Sequence, residues 1–151
     1  MRPQDKKAKR LRFGGLILLT LIVIGTVIGV MFAAQSCGEE ITELDMRQTY
    51  TAGGVSVTPT SLRCVEYGGD IYVFVYVEAK GRVYTDDFDL DGQAPSDECD
   101  AAADRAGVSP LADGTIEDGG AWIAFRTEGR TGESRLGYGS ASYRLGVLTP
   151  E

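Results

Sequence analysis

Hydrophobic and polar positions divide the chain into two textures. Residues 13–34 form one uncharged, mostly apolar run, whereas from Thr51 onward apolar residues come in short β-branched and aromatic stretches separated by Gly-rich turns. The first texture is that of a membrane-crossing helix and the second that of strands in an all-β domain. The clearest strand is 71–80, in which Ile71, Val73, Val75, Val77 and Ala79 alternate with Tyr72, Phe74, Tyr76, Glu78 and Lys80. Its first half is apolar on both faces, which predicts a central strand with the Val face in a core and the aromatic face under a loop or a partner. Six further strands are expected at 55–58, 62–67, 83–90, 121–127, 135–138 and 142–148, with a short helical turn over 97–105. Turn signals stand at Gly68-Gly69, Asp91-Gly92, Asp113-Gly114 and Asp118-Gly119-Gly120. Seven short strands in about 100 residues predict an immunoglobulin-like β-sandwich. If nothing covers them, Tyr72, Phe74 and Tyr76 are the surface a partner would meet; if a second sheet or the segment 94–110 covers them, they are core.

As a helix, the 22 residues of 13–34 would extend roughly 33 Å against a hydrocarbon core of about 30 Å, long enough for a retained anchor. A second reading is a lipoprotein signal, because Ala34-Gln35-Ser36-Cys37 resembles a lipobox, with Cys37 as the lipidated residue. Within the helix, Gly25, Gly29 and Ala33 recur every four residues and line one ridge, where another helix could approach closely. Residues 35–50 read as a polar stalk, and 51–151 as the extracytoplasmic domain. Charge orients the whole. Residues 1–12 hold six bases and one acid, while the remaining 139 residues carry 21 acids and nine bases, so a net charge of -7 conceals a strong dipole. The basic stub is expected in the cytoplasm and the acidic domain outside, tethered to the cell membrane. An acidic domain with scattered bases is no partner for nucleic acid; the expected partner is another envelope or membrane protein.

Candidate chemistry changes this picture little. The chain has no histidine and no asparagine, which removes His-based triads, His metal sites and N-glycosylation. Ser140 lacks the spacing of a nucleophile elbow, and a Ser-Lys dyad would have to use Lys80, the one lysine after residue 12. No catalytic set is therefore expected, and no cofactor. One motif does carry a chemical argument: Asp87, Asp89, Asp91-Gly92 and Glu98 have the spacing of a twelve-residue calcium loop, in which hard oxygens surround a hard cation. The competing reading is a strand whose Phe88 and Leu90 face the core while the aspartates face water. Outside the membrane disulfides persist, and Cys64 and Cys99 form an even pair once Cys37 is lipidated, so a structural bridge between them is expected; closing its loop would stabilise the fold by about 4 kcal/mol.

The order of Val55-Ser56-Val57-Thr58, the Val-alternating strand 71–80, Phe88-Asp89-Leu90-Asp91-Gly92 and the aromatic strand Ala121-Trp122-Ile123-Ala124-Phe125 resembles the immunoglobulin-like (telokin-like) domain of unknown function of lipoproteins and membrane-anchored proteins of Gram-positive bacteria. The resemblance covers roughly 51–148. It implies a sandwich fold and an extracytoplasmic location in the bacterial cell envelope, and brings no site residues. Two functions follow as expectations. One is a membrane-tethered extracytoplasmic binding or protein-interaction module, with weak calcium binding as a variant; the other is an accessory subunit of a membrane complex held by its helix.

Overall fold

The alternating residues of 71–80 lie in the longest strand of the domain. The computed structural model describes residues 40–111, 114–128 and 132–151. The expectations for the stub, the span with Gly25, Gly29 and Ala33, and Cys37 fall outside these residues. Among the described residues no helix is long and apolar enough to cross a membrane.

Ten elements follow one another: β1 (Thr42–Asp45), β2 (Tyr50–Ala52), β3 (Val55–Tyr67), β4 (Asp70–Tyr84), a 3₁₀ turn (Thr85–Asp87), β5 (Phe88–Leu90), α1 (Asp100–Ala106), β6 (Thr115–Thr127), β7 (Glu133–Tyr138) and β8 (Ala141–Val147). They make two four-stranded sheets, β1-β8-β7-β5 and β2-β3-β4-β6, packed together as a sandwich. All pairings are antiparallel except β1 with β8.

Period-two alternation explains the core. Val73, Val75, Val77 and Ala79 of β4 point to the same side as Ile123 and Phe125 of β6 and Val57 of β3. They meet Phe88, Leu90, Leu136, Ala141 and Tyr143 of the other sheet. Fully burying each such Val or Leu stabilises the fold by about 1.5–3 kcal/mol. The Tyr143 hydroxyl, in the middle of this layer, donates to the Val57 carbonyl at 2.9 Å and ties the sheets together. Burial pushes its pKa up to about 12.

Several elements differ from the sequence-based expectation. The strands expected at 55–58 and 62–67 are one strand, β3, because Pro59 falls where the register shifts, a position that tolerates a missing N–H. The strand expected at 83–90 is broken by the 3₁₀ turn, after which Phe88–Leu90 joins the other sheet. Asp118-Gly119-Gly120, expected as a turn, lies inside β6. The polar stalk expected over 35–50 contributes β1 and the start of β2: Leu44 packs on the core while Glu43 reaches Arg135 and Arg144 at 2.8 and 3.1 Å. Those guanidiniums, Arg135 first, hold the Glu43 carboxyl below its usual pKa.

Segments outside the strands hydrogen-bond to β6 and to β3 of the β2-β3-β4-β6 sheet. The β6 carbonyls of Trp122 and Ala124 accept from Leu111 and Ser96, and the Cys64 carbonyl of β3 accepts from Glu151.

Candidate functional site

The outer face of the β2-β3-β4-β6 sheet has two halves. One is covered: α1 lays Ala102 and Ala103 over Tyr72, Phe74, Val65 and Ala124. Small alanines let the helix sit close to the sheet, and Gly107, in a left-handed conformation, ends it. Phe74 is 0% and Tyr72 8% exposed, so the three-aromatic docking surface does not exist as such; two of its members are core beneath the helix. Tyr76 alone is partly exposed.

The other half is open, and there the same strands place polar side chains around a groove of about 600 Å³. Pairing sets its floor. Thr58, Glu78 and Gly120 stand opposite one another across β3, β4 and β6, and Ser56 stands opposite Lys80 in the next row. Two hydroxyl pairs, Thr49 with Thr58 at 2.8 Å and Thr51 with Ser56 at 2.9 Å, border one side. On the other side Gly81, in a left-handed conformation at the bulge where β4 and β6 shift register, donates its N–H to Asp118 Oδ1 at 2.7 Å. Glu78 and Lys80 are exposed and make no ion pair among the described residues.

Gly120 shapes the aromatic wall. A β-carbon there would stand 2.6 Å from the Tyr76 hydroxyl oxygen and 2.7–2.8 Å from the ring, so the ring occupies the space a side chain would have filled. Trp122 meets Tyr76 edge to face, with ring centroids 5.3 Å apart. The groove therefore offers hydroxyls, two carboxylates, an ammonium and a braced aromatic ring. The alternation of 71–80 already put Glu78 and Lys80 on the Tyr76 face. The contributions of Thr49, Ser56, Thr58, Asp118 and Gly120 depend on pairing, which no local pattern reveals. Ser56 is the cross-strand neighbour of Lys80, but its hydroxyl is engaged with Thr51.

The calcium spacing does not close into a loop. Asp89 Oδ1 accepts from Gly92 N at 2.8 Å and Asp91 Oδ1 from Arg135 N at 2.9 Å, so both carboxylates hold a turn at the end of β5. Asp87 belongs to the 3₁₀ turn, and Glu98 lines a separate depression with Tyr67, Tyr72 and Cys99 on the other sheet. Among the described residues no three or more His, Cys, Asp or Glu side chains gather to hold a metal. The chain between Asp91 and Glu98 crosses from one sheet to the other, where Ser96 bonds Ala124.

The expected Cys64–Cys99 bridge is also corrected: both are free, buried thiols. Cys64 points into the layer between the sheets, while Cys99 lies in the cluster under α1 on the outer face. A sheet separates them. Burial raises both thiol pKa values, with Glu151 adding to the effect at Cys64 and Asp100 and Asp97 at Cys99, so neither favours a thiolate. Ser140 shares a 2.6 Å hydrogen bond with the Tyr50 hydroxyl.

The class these features define is a β-sandwich-like domain with, among the described residues, one short helix and an open polar groove on one sheet. No protein family, curated protein or solved structure matches the chain.

Proposed function

We propose that this protein is a membrane-tethered extracytoplasmic binding module without catalytic activity, its immunoglobulin-like domain presenting the groove around Glu78 to a ligand. The observation that carries the reading is that groove: an open concave surface on which exposed Glu78 and Lys80, without an ion pair among the described residues, stand beside hydroxyls and a braced aromatic ring. Binding sites combine concavity with a few convergent polar groups. The tether is supported by the 22-residue apolar run and the six bases before it. The immunoglobulin-like reading is supported by two four-stranded, mainly antiparallel sheets with a shared apolar layer.

The test is photo-crosslinking of the full chain in native membranes. A photoreactive residue replacing Thr58, at the groove, should capture one discrete species, protein or glycan, that the same residue replacing Glu133 on β7 does not. Equal patterns from the two positions, or no adduct from Thr58, would refute the reading.

A further inference from the structure

We infer that the groove takes a neutral oligosaccharide; the inference rests on the binding-module reading and names its ligand class. Hydrogen-bonding capacity is the first argument. In each hydroxyl pair one hydroxyl proton is used internally, which leaves each pair one further donor and several lone pairs, and Thr49, Ser56 and Thr58 line the groove. The Glu78 carboxylate supplies only acceptors and the Lys80 ammonium only donors. Donors and acceptors thus line the same groove, which suits a ligand whose every hydroxyl both donates and accepts.

Charge is the second. Glu78, Asp118 and the acidic excess of the chain after Arg12 oppose a polyanion such as an acidic polysaccharide. A neutral chain does not meet that barrier. Shape is the third: Tyr76, held over Gly120 and against Trp122, gives a rigid aromatic wall on which the C–H face of a pyranose ring can lie.

The experiment uses the full chain in detergent micelles. Trp122 is the sole tryptophan and touches Tyr76, so its fluorescence reports on this wall as well as on the cluster under α1. Cellotetraose, chitotetraose, maltotetraose and mannotetraose are titrated to high millimolar concentration, with tetralysine and tetragalacturonate as charged comparisons. At least one neutral tetrasaccharide should change the emission saturably. Glu78→Gln should weaken that response about tenfold at unchanged melting temperature and Thr58→Val about fivefold, as expected for lost hydrogen bonds to a charged and a neutral group. Glu133→Gln should leave it unchanged. Silence of all four neutral sugars, preference for either charged probe, or a response indifferent to Glu78→Gln would overturn the inference. If a sugar fails while the Thr58 crosslink persists, the module stands and only the ligand class falls; if both fail, both fall.

Discussion

Replacing Gly120 by alanine adds a single methyl group to an exposed position, where an ordinary surface substitution would change stability by less than about 0.5 kcal/mol. Here the new carbon would stand 2.6–2.8 Å from the Tyr76 hydroxyl oxygen and ring, far inside van der Waals contact, so the ring must swing off the groove wall. The swing forfeits the edge-to-face contact with Trp122, worth about 0.5–1.5 kcal/mol, and part of the ring's burial. Alanine returns about 0.4–1 kcal/mol by restricting the unfolded chain. Overpacking typically costs about 1–3 kcal/mol, so the net expectation is a loss of about 1 kcal/mol, or a fall of about 3–6 °C in Tm. Urea and thermal unfolding measure the loss, and Trp122 emission reports the displaced ring. A double-mutant cycle isolates the cause: in a Tyr76→Ser background Gly120→Ala should become neutral or stabilising, a coupling of about 1 kcal/mol or more. An unchanged Tm with unchanged emission, or additive single effects, would show that Tyr76 does not occupy the space above Gly120.

Phe74→Ala should destabilise the domain by about 3–5 kcal/mol, because the ring is fully buried between β4 and α1; a loss under about 1 kcal/mol in chemical denaturation would return Phe74 to the surface. Tyr143 carries a pH signature. Its pKa is raised from 10 to about 12 by burial, so its contribution is complete below pH 10 and is lost as pH climbs from 10 towards 12. Tyr143→Phe should lower stability at neutral pH by about 1 kcal/mol through the lost bond to the Val57 carbonyl, and should flatten the decline between pH 10 and 12. Urea midpoints measured across that range check it, and parallel declines in parent and variant would refute the assignment.

What the chain reveals by itself is whatever a local period can carry. The alternation of 71–80 is a property of ten consecutive residues, and strand geometry converts it directly into a core face and an aromatic face. Gly68-Gly69, both with positive φ, likewise sit at a two-residue hairpin turn that only such residues favour. The rest was decided by which segments met. Tyr72 and Phe74 are core, and not a docking face, because a seven-residue helix some thirty positions later folds over them. Cys64 and Cys99 remain apart because parity counts thiols but cannot say on which side of a sheet each will point. The spacing of Asp87, Asp89, Asp91 and Glu98 matched a metal loop, yet the chain spends those residues crossing between sheets, and two of the carboxylates satisfy backbone N–H groups instead. The groove shows the limit most clearly. Thr58, Glu78 and Gly120 lie far apart along the chain and become neighbours only through the pairing of β3, β4 and β6, a register fixed by burying one face of every strand at once.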